Sequence, residues 1–294
     1  MPRVRLPRLR RTSQPPTPPL PPLALPPGRT ITLPGRGEVF LRDTGGSGPA
    51  VLLIHGWMFP SDLNWLYAYG PLEGAGYRVI AVDLRGHGRG LRTTQPFRLT
   101  DCADDLAAVL TALDLATATV VGYSLGGAVA QLMAQRHPDR LDGLVLCATA
   151  MDWSDLRQKV LWNGMAGLRF LLGAFPQGSW RTLVRLTGSN REHSEWTAAE
   201  LSRGSARDLA EAGRDLGRFN SSGWIGHVRA PAAVLVMTRD RLVPPTKQRA
   251  LAAGLRCSPH LVDEDHEACA RNPELFNAIL LAALSGLGPV RAAS

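Results

Sequence analysis

The stretch Gly122-Tyr123-Ser124-Leu125-Gly126-Gly127 constrains this chain more than any other. It follows an apolar, β-branched run, Ala118 to Val121, and opens a helix-like run, Ala128 to Arg136. A serine at so tight a strand-to-helix turn is held in a strained backbone conformation, and its neighbours have room only for glycine. Such a turn lifts the hydroxyl above the sheet edge. The start of the following helix offers N–H groups that can hold a developing negative charge. G-x-S-x-G in this setting is a nucleophile elbow, and it makes Ser124 the candidate nucleophile.

The strand before the elbow is one of several continuous apolar runs. Ala50–Ile54, Tyr77–Val82, Ala118–Val121 and Leu141–Cys147 suit strands buried on both faces, as in a parallel sheet. Ile31 to Leu33 and Glu38 to Arg42 read as edge strands around the turn Pro34-Gly35-Arg36-Gly37. Ala233–Met237 and His260–Val262 read as a fifth and a sixth central strand. Helices are expected over Leu99–Leu113, capped by Thr100 or Asp101, over Leu125–Arg136, and over Pro273–Leu284. The alternation predicts a mostly parallel, doubly wound α/β sheet. Residues 151–226 break it. They hold five of the seven tryptophans and no strand-like run, and they read as a helical lid inserted after the Leu141–Cys147 strand.

The formal charge of +8 suggests nucleic acid until it is located. Six arginines and no acid lie in residues 1–30, so the remaining 264 residues carry +2. The body is nearly neutral, and no nucleic-acid motif accompanies the tail. Residues 1–29 are rich in Pro and Arg and are expected to be disordered or polyproline-like. The division that follows is a leader over 1–29, a core in two parts, 30–150 and 227–294, and the lid between them. Membrane contact through the basic tail is the weaker reading, because no amphipathic anchor adjoins it. No apolar run approaches the ~20 residues of a membrane span. Cys102, Cys147, Cys257 and Cys269 show no metal or redox spacing and read as reduced cysteines of a cytoplasmic protein. The sequence leaves the oligomeric state open.

A serine hydroxyl needs a base, and the base needs an orienting acid. His266 follows the His260–Val262 strand and Asp240 follows Ala233–Met237, both at strand carboxyl ends, where open α/β sheets bind ligands. The other histidines, His55, His87, His137, His193, His227 and His260, lie in turns, at a helix end, in the insertion or at a strand start. Asp152, after Leu141–Cys147, competes with Asp240 for the acid. The backbone N–H groups of Leu125 and Trp57 are the expected oxyanion donors. His55, Trp65, Tyr123, Trp153 and Trp162 are the expected substrate-pocket residues.

The set His55-Gly56-Trp57, Asp83-Leu84-Arg85-Gly86-His87-Gly88, Gly122 to Gly127, Asp240 and His266 resembles the α/β-hydrolase superfamily. The narrower resemblance is to single-domain serine hydrolases with a helical lid, in a bacterial, actinobacteria-like branch, and it spans about residues 30–286. It implies the α/β-hydrolase fold and a triad of Ser124, His266 and Asp240 acting on esters or thioesters of small to medium apolar acids. C–C bond hydrolysis, acyl transfer and ligand binding with slow turnover are the alternatives. No cofactor and no metal are implied. Epoxide hydrolases and haloalkane dehalogenases of this fold place aspartate at the elbow, so serine there argues against those reactions. One departure is Asp265, where the family usually has glycine before the histidine.

Overall fold

The computed structural model describes residues 20–154 and 191–288. Its frame is an eight-stranded sheet in the order β1-β2-β4-β3-β5-β6-β7-β8. The strands are β1 (Gly28–Leu33), β2 (Gly37–Asp43), β3 (Ala50–Ile54), β4 (Arg78–Val82), β5 (Ala118–Tyr123), β6 (Leu141–Cys147), β7 (Ala232–Met237) and β8 (Pro259–Val262). The tight turn after β1 makes it pair antiparallel with β2, which pairs antiparallel with β4. Every later pair is parallel. All residues of β3 and β5 are buried, which is why their sequences are continuously apolar rather than alternating.

Between the strands run α1 (Ser61–Trp65), α2 (Tyr69–Gly74), α3 (Leu99–Ala112), α4 (Leu125–Arg136), α5 (Arg191–Leu201), α6 (Ala206–Leu216), α7 (Pro245–Gly254), α8 (Ala268–Arg271) and α9 (Pro273–Gly286). One core cluster joins the sheet to α3, α4 and α7, through side chains such as Leu106, Val129 and Leu251. The other joins the opposite face to α2 and α9, through Leu72, Phe276 and Leu280. None of the described helices is long and apolar enough to cross a membrane.

Ordered backbone reaches back past Thr30, the expected start. Leu25 packs on the second core cluster, and the Pro26 and Pro27 carbonyls accept from Arg42 and from the Asp43 N–H. Only the last ten residues of the expected leader, 20–29, are among those described; 1–19 lie outside them.

Between β6 and β7 the described residues hold α5 and α6 and no strand beyond an isolated bridge from Asp152 to Asn220. Helix α6 is fastened to the body by hydrogen bonds that sequence patterns do not reveal. The Leu99 N–H donates to the Asp215 carboxylate at 2.7 Å, and the Phe97 N–H to Glu211 at 2.7 Å. The cap of α3 therefore comes from the insertion. Neither Thr100 nor Asp101 supplies it; residue Arg98 occupies the cap position without a side-chain bond. An Asp at a helix N-terminus answers both an orphan N–H and the positive end of the dipole, whichever segment delivers it. Gly86, at φ +74°, lets the insertion approach: a β-carbon there would lie 2.2 Å from that of Asp208.

Candidate active site

Ser124 stands between β5 and α4 with φ 52° and ψ −115°, a region that costs a non-glycine residue about 1–3 kcal/mol. The fold holds it there with three bonds. Its N–H donates to Cys147 O at 2.9 Å, and its carbonyl accepts from the Gly127 N–H at 2.9 Å and the Thr149 hydroxyl at 2.8 Å. Gly126 permits the close approach of β3: a β-carbon there would sit 2.3 Å from the Ile54 carbonyl oxygen. That contact brings the elbow against the loop after β3.

His266 follows β8, and its Nε2 lies 3.0 Å from Ser124 Oγ. Its Nδ1 lies 2.7 Å from Asp240 Oδ2. Asp240 is 4% exposed, and its other oxygen accepts from the Leu242 and Val243 N–H groups at 2.8 Å each. A carboxylate so placed is an acceptor, which puts the imidazole proton on Nδ1 and leaves Nε2 free to accept from the serine. The structure thus brings Ser124, His266 and Asp240 into one hydrogen-bonded line. Asp152 is elsewhere. Its carboxylate accepts from the N–H and hydroxyl of Ser154, and its backbone carbonyl from Lys247 Nζ. Asp265 bonds the Glu267 N–H and lies 3.7 Å from Arg271, at the surface. Arg239, which flanks Asp240, is paired with Asp263 and Glu264.

Leu125 is the first residue of α4, where N–H groups have no acceptor within the helix. The Gly56–Trp57 peptide is fixed by His55. Leu84 N donates to His55 Nε2 at 2.9 Å, so Nδ1 carries the proton and donates to Gly56 O at 2.8 Å. In a trans peptide the N–H points opposite to the carbonyl, so His55 sets the direction of the Trp57 N–H. The Trp57 indole donates to Leu209 O of α6 at 2.8 Å, tying this loop to the insertion. Asn64, which sequence reasoning missed, accepts from the Gly56 N–H at 2.9 Å.

Of the five expected pocket residues, four are among those described, and the structure places them in the core or in its supporting bonds. Trp65 is fully buried and packs edge-on against Tyr123, in the core cluster facing α9. Tyr123 is 3% exposed, and its hydroxyl donates to the His266 carbonyl at 2.7 Å, so it supports the histidine loop. His55 is fully buried, with both ring nitrogens spent on backbone. Trp153 is buried in the core beside α4, its indole bonded to Ala150 O. Large apolar or aromatic side chains beside a motif serve core and pocket alike, and sequence does not separate the two uses. Trp162 lies outside the described residues.

Beside the loop after β3 His87 is fully buried, its Nε2 without a hydrogen-bond partner among the described residues and its ring 5.1 Å from that of His55. Burial, reinforced by His55, pushes its pKa down to about 3. Above the ordinary pKa of ~6.5 both folded and unfolded chains hold it neutral, and its stabilising contribution is complete. As pH falls toward 3 only the unfolded chain binds the proton, so stability is lost at up to about 1.4 kcal/mol per pH unit. Urea midpoints are expected to fall between pH 7 and pH 5, and less steeply in His87→Phe. An unchanged slope in that variant would assign the acid sensitivity to other groups.

The signature of the α/β-hydrolase fold matches residues 49–178. The pimeloyl-[acyl-carrier protein] methyl ester esterase of Chromobacterium violaceum is 32% identical over 223 residues, covering 72% of this chain and 84% of that protein. Epoxide hydrolase B of Mycobacterium tuberculosis is 41% identical over 101 residues, 33% of this chain and 28% of that one. With that relative and two others like it, the chain spans only 28%, 36% and 41% of the relative's length. Among solved structures, a thermophilic esterase from Thermogutta terrifontis superposes with a TM-score of 0.74 at 24% identity, covering 90% of this chain and all of that one. The chain belongs to the α/β-hydrolase fold family.

Proposed function

We propose that this chain is a serine hydrolase of carboxylic esters or thioesters of small to medium apolar acids. The observation that carries the reading is the line Ser124 Oγ–His266 Nε2, 3.0 Å, and His266 Nδ1–Asp240 Oδ2, 2.7 Å. In this reading Ser124 Oγ attacks the carbonyl carbon as its proton passes to His266 Nε2. The Leu125 and Trp57 N–H groups take the oxyanion. His266 gives the proton to the departing alcohol or thiol, the acyl group stays on Ser124, and water activated by His266 then releases the acid. Asp240 stabilises the imidazolium at each stage.

The relative named for methyl ester hydrolysis, of which this chain covers 84%, supports ester chemistry. Serine at the elbow, where the epoxide hydrolases of this fold carry aspartate, favours it over epoxide opening. We assign residues 151–226 as the lid and the cytoplasm as the setting.

A series of p-nitrophenyl esters of increasing acyl length tests the substrate class. Each added methylene is expected to raise kcat/KM by up to about fourfold while the pocket has room, and to lower it once the pocket is full. A preference for acyl groups bearing a carboxylate would contradict an apolar pocket. Product partitioning with an added alcohol distinguishes hydrolysis from acyl transfer by the same residues.

A further inference from the structure

We propose that Gln248 is a positioning residue that aims the Asp240 carboxylate at His266, an inference that rests on the hydrolase reading above. Gln248 lies in α7, one turn past Pro245, and is fully buried. Its Oε1 accepts from the Met237 N–H at 3.0 Å, at the end of β7. Its Nε2 donates to Val243 O at 2.7 Å and to Asp240 Oδ2 at 3.0 Å. Because Met237 offers only a donor and Val243 only an acceptor, the amide has one orientation, and the group facing Asp240 is its NH2.

A carboxylate has about four acceptor sites. Two backbone N–H groups fill those of Oδ1; His266 and Gln248 fill those of Oδ2. The backbone pair anchors one oxygen but leaves the plane of the carboxylate to rotate about it. Gln248 holds the second oxygen from the start of α7, with its amide tied both to the end of β7 and to the Val243 carbonyl of the loop. With the amide removed, Oδ2 keeps only the histidine, and a mobile imidazole must orient a mobile acid.

Steady-state kinetics on p-nitrophenyl butyrate test this in Gln248→Met, Asp240→Ala and the double variant. Gln248→Met is expected to lower kcat about 10- to 100-fold, the loss typical of one hydrogen bond to a charged group, with KM within about twofold. In the Asp240→Ala background the same change is expected to alter kcat less than about threefold, because nothing remains to be positioned. A wild-type kcat in Gln248→Met overturns the inference. So does an equal loss in both backgrounds, which would make Gln248 a packing residue.

Met leaves the Met237 N–H unpaired, so Gln248→Glu serves if that variant fails to fold. It keeps the length and the acceptor but sets a second carboxyl against Asp240, beside His266. Its kcat is expected to fall toward high pH, where both carboxyls are ionised, and a wild-type pH profile overturns the inference. Loss of activity in Asp240→Ala with none in either Gln248 variant sinks the positioning role alone. No ester turnover by the wild type, or full turnover by Asp240→Ala, sinks the hydrolase reading and the positioning role with it.

Discussion

Ser124→Ala is expected to lower ester turnover by about 10⁴-fold or more while leaving the fold in place. The size of the loss follows from the geometry. Ser124 Oγ is the one nucleophile that His266 Nε2 reaches in the described site, and removing it leaves the histidine no hydroxyl to activate. The fold should survive because the backbone, not the hydroxyl, builds the elbow. The bonds to Cys147 O, the Gly127 N–H and the Thr149 hydroxyl all involve Ser124 main-chain atoms. A left-handed φ of 52° already carries a β-carbon there, so alanine adds no strain. Turnover within a few-fold of wild type, measured with the thermal midpoint of the same preparation, would remove Ser124 from the mechanism.

Asp240→Asn is expected to cost about 10³- to 10⁴-fold in kcat, and Asp152→Asn only a few-fold at most. The Leu242 and Val243 N–H groups demand an acceptor at Oδ1, so the asparagine carbonyl must turn to them. Its NH2 then faces His266 Nδ1 on one side and the Gln248 NH2 on the other. The imidazole has to accept at Nδ1 and carry its proton on Nε2, where it cannot take one from Ser124. Asp152 has no such link; its carboxylate serves the Ser154 turn. The opposite ranking of the two variants would move the acid to the loop after β6.

The elbow, the central strands and the three residues of the line were legible because each rests on a local pattern. An apolar run of five residues, a glycine pair and a polar residue at a strand end are short-range signals, and the fold supplies the order in which they meet. The contacts that hold those residues in place were not legible. Asn64 reaches Gly56 across the loop after β3, and Gln248 reaches Asp240 from the next helix. Asp215 caps α3 from the insertion, 116 residues away. None has a spacing that distinguishes it from a solvated surface residue, since the partner is set by tertiary approach. Trp65 and Tyr123 show the converse: adjacency to motifs suggested a pocket, while two-sided burial of the sheet assigns them to core and support. Helices α1 and α2, of five and six residues, are too short to leave a periodic pattern.

The most direct test of the serine mechanism is covalent. A fluorophosphonate reacts with a serine only where a base and oxyanion donors activate it, and the adduct can be placed on one residue by peptide mass spectrometry. The serine mechanism predicts a single phosphonylated serine, Ser124, with ester turnover lost in proportion to labelling in stoichiometric titration, and no adduct in Ser124→Ala. A label on another serine, or sustained ester turnover after Ser124 is fully modified, would contradict it.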